Sequence, residues 1–228
     1  MPSPEASPKR PPPIAIIVSR YNQTITYRLR DGAVRAYVQA GGRESDLAII
    51  ESPGSFEIPM LVDEAARVEL FGGVVALGCI VRGETDHDRY LADAVTKALL
   101  DISLDAGVPV GLGVLTVNTV EQAVQRSGGA DGLATGNKGY EAMMAVLGTL
   151  GGIDALAGAG ESGKVSGVRF TLPSGASDKA SPDALAARAA TGSAGKSAGK
   201  SAGKTPGKSG AKAGAKAGVS RSSSGAKR

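Results

Sequence analysis

The 228-residue sequence is 42% hydrophobic and 21% charged, and its formal net charge is +4 at pH 7. This charge is unevenly divided: residues 1–153 hold 13 basic and 18 acidic side chains, whereas residues 154–228 hold 13 basic and 4 acidic ones. The net charge therefore conceals an acidic globular part and a basic tail. A single cysteine excludes an intrachain disulfide.

Residues 1–13 include six prolines, which lack backbone N–H donors and fix φ, so we predict a disordered leader. Short apolar runs then alternate with longer segments in which apolar residues recur at i, i+3 and i+4. The predicted strands are residues 14–19, 47–51, 73–80 and 108–116. The predicted helices are residues 25–39, 57–70, 86–105, 120–126 and 138–150.

Near-continuous apolar strands separated by helices indicate a parallel sheet that is buried on both faces. The fold class is therefore α/β, and residues 14–153 are predicted to form one three-layer α/β/α sandwich around a four-stranded parallel sheet with right-handed crossovers. Ligands bind beyond the carboxyl ends of the strands in such sheets. We expect the chemistry in the loops that begin at residues 20, 52, 81 and 117.

Residues 154–228 consist mainly of Gly, Ala, Ser and Lys, and Ser-Ala-Gly-Lys repeats three times from Ser193. Lysines spaced by four would stack like charges on one helix face, and each glycine would cost about 1 kcal/mol, so we predict a disordered basic tail. Residues 184–228 hold 10 basic and no acidic side chains. The tail is expected either to bind polyanions weakly or to be a solubilising linker without a partner.

No apolar run is expected to approach the roughly 18 residues of a transmembrane helix. The apolar stretch after the leader is also too short for a signal-peptide core. Together with the single cysteine, these features predict a cytoplasmic protein.

The loop after the third strand reads Gly-Cys-Ile-Val-Arg-Gly-Glu-Thr-Asp-His-Asp at residues 78–88. Thr85 and Asp88 resemble a capping box, which predicts a helix start whose free backbone N–H groups suit an anion. His87, the only histidine, would lie in the first turn, where an imidazole can exchange a proton near neutral pH beside a phosphate leaving group. The alternative is an exposed histidine on a polar turn.

Three other loops carry candidate binding residues. After the second strand, Gly54 permits a tight turn and Glu57 follows at a helix start, although Glu57 could merely complement the helix dipole and Phe56 could be core. After the first strand, Tyr21 could stack on a planar heterocycle or simply pack. Arg126 and Lys138 place two cations near a helix N-terminus, which suits an anion between them or two solvated side chains.

A stretch at residues 158–164 matches a dinucleotide fingerprint and most of a P-loop. Val165 stands where a P-loop has its magnesium-binding Ser or Thr, and no strand precedes the stretch. We therefore do not expect a nucleotide site here.

Taken together, the motifs resemble those of the lumazine synthase family, in that family's order and spacing, over residues 14 to about 151. They are Arg-Tyr-Asn at 20–22, Pro-Gly-Ser-Phe-Glu-Ile-Pro at 53–59, Ala-Leu-Gly-Cys-Ile-Val-Arg-Gly at 76–83, Thr85 with His87, Gly-Val-Leu-Thr at 113–116, Glu-Gln-Ala at 121–123 and Gly-Asn-Lys-Gly at 136–139.

The resemblance implies a flavodoxin-like fold and an enzyme of riboflavin biosynthesis. Such an enzyme condenses 5-amino-6-(D-ribitylamino)uracil with 3,4-dihydroxy-2-butanone 4-phosphate to 6,7-dimethyl-8-ribityllumazine, releasing phosphate and water, without a metal or an organic cofactor. It also implies a homopentamer with sites between neighbouring subunits, either isolated or as twelve pentamers in a 60-subunit shell. We favour the isolated pentamer, because residues 127–137 form a long connection and Pro11 to Pro13 cannot donate to a neighbour's sheet.

The resemblance also implies the roles of individual residues. Those expected to bind the ribitylaminouracil are Tyr21, Ser55, Phe56, Glu57, Cys79, Ile80, Val81 and, from the neighbouring subunit, Leu112. Those expected to bind the butanone phosphate are Glu84, Thr85, Arg126 and Lys138, while His87 would move protons. The family usually has Phe at the positions of Tyr21 and Leu112, and an aromatic residue directly after the histidine, where this chain has Asp88.

Two other functions are compatible with the sequence. One is a flavin- or lumazine-sequestering protein on the same scaffold, although such a binder would not need His87, Arg126 and Lys138. The other is a nucleic-acid-associated protein that works through its tail, which the acidic globular part makes at most an accessory role.

Overall fold

A computed structural model of the chain describes residues 10–129 and 136–163. Its strands are β1 (Ile14–Ser19), β2 (Leu47–Ser52), β3 (Gly73–Val81) and β4 (Val110–Val117). Its helices are α1 (Gln23–Gln39), α2 (Ile58–Arg67), α3 (His87–Ala106), α4 (Val120–Arg126) and α5 (Lys138–Ser162), with a 3₁₀ turn at Glu44–Asp46. The strand order is β2-β1-β3-β4, and every neighbouring pair is parallel.

Alternate residues of β1 face two separate hydrophobic cores. Ile14, Ile16 and Val18 pack with α1 and α5, whereas Ala15 and Ile17 pack with α2 and α3. This two-sided burial explains why β1 is apolar at five consecutive positions, since a strand covered on both faces has no polar face. The predicted three-layer α/β/α sandwich is confirmed.

The predicted strands and the first four helices match the structure to within three residues at each end. Helix α2 ends at Arg67 rather than at residue 70, and Glu69 just beyond it has a left-handed backbone with φ of 51°. Helix α3 stops at Gly107, whose φ of 66° suits a glycine that ends a helix.

Helix α5 differs most from its prediction. It was expected to end at residue 150 but continues to Ser162, so the boundary predicted after residue 153 falls inside a helix. Alanines and a leucine between residues 155 and 159 have high helix propensity, which outweighs the intervening glycines. The P-loop-like stretch therefore lies mostly in this helix. The rest of the predicted tail, residues 164–228, lies outside the described residues, as do residues 1–9 of the leader.

Helix α5 is also long and apolar enough to span a membrane by length and composition alone, with a mean hydropathy of 1.5 over 18 residues. The sequence-based expectation that no segment reaches this length was wrong on that criterion. The first half of the helix is part of the sandwich, because Ala142, Met143 and Val146 are buried in the core beneath it.

The last four leader residues have no regular secondary structure but are fixed to the domain. The hydroxyl of Tyr37 donates to the carbonyl of Pro12 at 2.9 Å, and the N–H of Gly72 donates to the carbonyl of Pro13. Arg10 pairs with Asp46 at 3.3 Å. The predicted disorder therefore does not extend to residues 10–13.

Helices α1 and α5 approach so closely that a side chain would not fit at one point of their contact. A Cβ added to Gly139 would lie 1.9 Å from the backbone oxygen of Leu29. Backbone atoms cannot move aside without shifting one of the two helices, so the position requires glycine.

We predict that Gly139→Ala lowers the free energy of unfolding by about 1–3 kcal/mol, because the added methyl group forces the helices apart. Gly152→Ala is the matched control: it lies in the same helix, has nothing within 4 Å of its added Cβ, and should be neutral or stabilising by up to about 1 kcal/mol. Urea denaturation followed by circular dichroism measures both changes. Equal stability of the two variants would contradict the packing argument.

Candidate active site

The four strands end at one edge of the sheet. In the strand register Ser19 is opposite Ser52, and Val81 is opposite Val117. The loops that follow are loop 1 (residues 20–22), loop 2 (residues 53–57) and loop 3 (residues 82–86). The pairing of β3 with β1 ends at Leu77, but β3 itself continues to Val81. The last residues of β3 therefore lie beside loop 1.

Loop 1 is held against β3 by Asn22. Its side-chain amide donates to the carbonyl of Cys79 at 2.9 Å, and its own carbonyl accepts from Ile25 and Thr26 at the start of α1. The Asn22 backbone is left-handed, with φ of 59°, a conformation that asparagine adopts more readily than most residues. Tyr21, 70% exposed, is thereby placed next to the end of β3.

Sequence reasoning assigned no role to Asn22. The available signal was its type and position: an asparagine between a strand end and a helix start is a common site for a left-handed residue. The hydrogen bond to Cys79 spans 57 positions of the chain, and no local pattern reveals such a partner.

Loop 2 packs against β3 through a position that lacks a side chain. A Cβ added to Gly78 would lie 2.9 Å from the hydroxyl oxygen of Ser55, which is itself buried. The turn is also closed by the Ser52 hydroxyl, which donates to the carbonyl of Gly54 at 2.7 Å. Phe56 is 68% exposed, so the alternative that it belongs to the core is wrong. Glu57 is exposed at the N-cap of α2.

The last residues of β3 point mostly into the protein. Cys79 is 1% exposed and packs in the core beneath α1, and Ile80 is also buried, while Val81 is partly buried. Burial raises the pKa of the Cys79 thiol from 9.0 to about 11. A ligand at this edge would meet the backbone of these residues rather than the thiol.

Helix α3 begins one residue later than predicted, at His87, and its N-cap Asp86 makes no side-chain capping bond. The predicted capping box of Thr85 and Asp88 is therefore wrong. The carboxylate of Asp88 instead lies 3.5 Å from the backbone N–H of Gly83, which ties the first turn to loop 3. The placement of His87 in the first helical turn is confirmed. Glu84, Thr85 and His87 are exposed here, as are Arg82 and Asp86.

The two candidate cations lie at the ends of the connection from α4 to α5. Arg126 is the last residue of α4, where its guanidinium donates to the carbonyl of Gln122 at 3.3 Å. Lys138 is the first residue of α5 and pairs with Glu141. Neither cation is fully buried, so both are available to an anion.

Leu112 is not brought to the carboxyl edge of its own sheet. It pairs with Ala76, five positions before Val117, which places it about 16 Å from the edge at the usual rise per residue. It is 51% exposed on the edge strand β4.

The predicted residues line neither of two clefts elsewhere on the domain. One, of about 440 Å³, lies between α1 and β2, and the other, of about 490 Å³, lies between the ends of α2 and α3. Within residues 10–129 and 136–163, no group of three or more His, Cys, Asp or Glu residues is arranged to hold a metal ion. The candidate site is therefore an exposed, polar and aromatic loop surface.

A parallel α/β sandwich that gathers such loops at its carboxyl edge has the architecture of an enzyme that binds its substrates there. The family model of 6,7-dimethyl-8-ribityllumazine synthase matches residues 12–151. The chain is also 44% identical, over 134 residues, to a 6,7-dimethyl-8-ribityllumazine synthase of Campylobacter lari, an alignment that covers 59% of this chain and 83% of that protein.

The chain belongs to the 6,7-dimethyl-8-ribityllumazine synthase family. It is a transferase of riboflavin biosynthesis that makes 6,7-dimethyl-8-ribityllumazine, which confirms the family and the activity inferred from its motifs. The alternative of a flavin- or lumazine-sequestering protein is not favoured.

We predict that Cys79 in the native protein reacts with iodoacetamide at pH 8 at least about 100-fold more slowly than in the urea-unfolded chain, since its thiolate fraction is that much smaller and it is buried. The folded state keeps this proton between pH 9 and about 11, so the thiol's contribution to stability is present below pH 9 and is lost as the pH rises through that range. Mass spectrometry of the alkylated peptide gives the two rates. Similar rates would show that Cys79 is exposed to solvent.

Proposed function

We propose that the condensation takes place on loops 1 to 3 of one subunit, closed by a neighbouring subunit. The observation that carries this proposal is the Asn22 to Cys79 hydrogen bond, together with the Gly78 to Ser55 contact. These two contacts gather an exposed aromatic ring, a polar turn and the end of a buried strand at one edge of the sheet. A planar heterocycle with a hydroxylated side chain has matching chemistry.

The ribitylaminouracil would bind beside the end of β3. Tyr21 offers an exposed aromatic face for the pyrimidine ring, and Phe56 offers a second exposed ring nearby in loop 2. Ser55 and Glu57 supply hydroxyl and carboxylate groups to the ribityl chain. The backbone of residues 79–81 supplies further donors and acceptors.

The butanone phosphate would bind between loop 3 and the two cations. The hydroxyl of Thr85 and the backbone N–H groups of Glu84 and of the start of α3 can donate to a phosphate, and Arg126 and Lys138 neutralise its charge. The amine condenses with the ketone, phosphate leaves, and a second condensation closes the ring. These steps need positioning and proton transfer, and His87 is the group placed to move protons.

The position of Leu112 supports a site that is completed by a second subunit. Because this side chain is half-exposed and far from its own carboxyl edge, we propose that it covers the ring bound to a neighbouring copy. We propose an isolated ring of five copies. The long connection after Arg126 and the prolines before β1 favour this assembly.

The direct test of the activity is to mix both substrates with the purified full-length chain and to follow the absorbance of the lumazine product. Formation of product at a rate that scales with protein concentration supports the proposal. Binding of added lumazine without its formation would instead support the sequestering protein.

We predict that His87→Ala lowers kcat by about 10- to 10⁴-fold, because it removes the group that transfers protons, while the KM for the aminouracil stays within about threefold. The exposed position of His87 makes a folding defect from this change small. Steady-state kinetics with each substrate varied in turn provides both constants. Full activity in this variant would remove His87 from the mechanism.

The basic tail would bind polyanions weakly and independently of catalysis. We predict that a chain ending at Gly163 keeps the kcat and both KM values of the full chain but loses its salt-sensitive binding to a DNA duplex in a gel-shift assay. Equal affinity of the two proteins for DNA would exclude the tail as the binding segment and leave it as a solubilising linker.

A further inference from the structure

We propose that Asn137 is a positioning residue that sets the placement of Arg126 relative to Lys138. The inference rests on the proposed function, in which these two cations bind the phosphate of the butanone substrate. Asn137 directly precedes Lys138, and one of its hydrogen-bond partners, Ser127, directly follows Arg126.

Asn137 is 2% exposed and its side chain makes four hydrogen bonds. Its amide nitrogen donates to the carbonyls of Ser127 and Arg28, both at 2.9 Å. Its amide oxygen accepts from the N–H groups of Gly139 and Tyr140, at 2.9 and 3.1 Å. The side chain thus uses both hydrogens and both lone pairs of its amide.

Only half of these bonds are needed to start helix α5. Capping requires the oxygen alone, and Ser or Asp would supply it equally well. The two bonds from the nitrogen do something different: they fix the residue after Arg126 and the residue before Lys138 to one point on α1. Asparagine is the short side chain that offers an acceptor to the helix and two donors to these carbonyls.

The surroundings of Asn137 support this dual role. A Cβ added to Gly32 of α1 would lie 2.3 Å from the Asn137 amide oxygen, so α1 leaves a space that this amide fills. Arg28, whose carbonyl accepts from Asn137, also donates from its guanidinium to the carbonyl of Gly129 at 2.8 Å. Both ends of the connection are therefore attached to the same two turns of α1.

The contacts explain how two cations at separate helix ends can act on one phosphate. Each long side chain has many rotamers, and a phosphate is bound well only when the backbones that carry both side chains are fixed. Asn137 fixes both backbones without touching the substrate.

The test uses Asn137→Asp, which keeps the oxygen that caps α5 but places a second oxygen against the carbonyls of Arg28 and Ser127. We expect the KM for the butanone phosphate and the inhibition constant of inorganic phosphate to rise by about 10- to 100-fold, with the KM for the aminouracil within about twofold. A merely structural role would not separate the two substrates.

Gly32→Ala is an independent variant, because its added methyl group displaces the Asn137 amide without removing any polar group from the connection. It should show the same selective loss of phosphate handling, whereas Gly152→Ala, with nothing near its added Cβ, should show none. If Asn137→Asp fails to fold, Gly32→Ala decides the question alone.

Arg126→Ala distinguishes failure of this inference from failure of the proposed function. If Arg126→Ala weakens phosphate handling while Asn137→Asp and Gly32→Ala do not, the positioning role is wrong and the assignment of the cations stands. If Arg126→Ala leaves phosphate handling unchanged, the phosphate site is misassigned, and the proposed role of Asn137 is wrong as well. Equal rises in both KM values for Asn137→Asp and Gly32→Ala would also overturn the inference.

Discussion

Burial of the central strands on both faces is the constraint on which the rest of the molecule depends. Residues such as Ile16 and Ile17 of β1 face opposite cores, so helices must cover both sides of the sheet. Successive parallel strands then need crossovers through those helices, and every strand ends at the same edge. The loops that carry the candidate site meet there because of this topology, whatever residues the loops contain.

The loops themselves are held by a few contacts that depend on small residues and asparagine amides. Gly78 leaves room for Ser55, and Gly32 leaves room for Asn137, so segments from distant parts of the sequence pack closely. Asn22 and Asn137 then donate to carbonyls on other elements. The candidate site residues Tyr21, Phe56 and His87 can remain exposed because other residues supply the rigidity.

The sequence predicted most of this architecture because its signals are periodic or local. Alternation of apolar strands with helical segments indicated the sandwich, and the collinear motifs indicated the family. The glycines after residue 150 indicated an earlier end for α5, but the alanines between them continue the helix to Ser162. The capping box at Thr85 was wrong because the carboxylate of Asp88 reaches back to Gly83, a preference that spacing does not reveal.

The sequence predicted where the loops of the candidate site lie, but not how they are held in place. Loop positions followed from the strand ends, whereas the distance of Leu112 from that edge required the register of β3 and β4. Cys79, which accepts from Asn22, is 57 positions away, and Arg28, which accepts from Asn137, is 109 positions away, so only the folded structure brings them together.

A crystal structure of the full-length chain with bound 6,7-dimethyl-8-ribityllumazine would test the central claim most directly. The account predicts that the ring lies against Tyr21 of one subunit, within hydrogen-bonding distance of the backbone of residues 79–81, and in contact with Leu112 of a neighbouring subunit. A ring enclosed by one subunit alone, or bound in the cleft between α1 and β2, would contradict it.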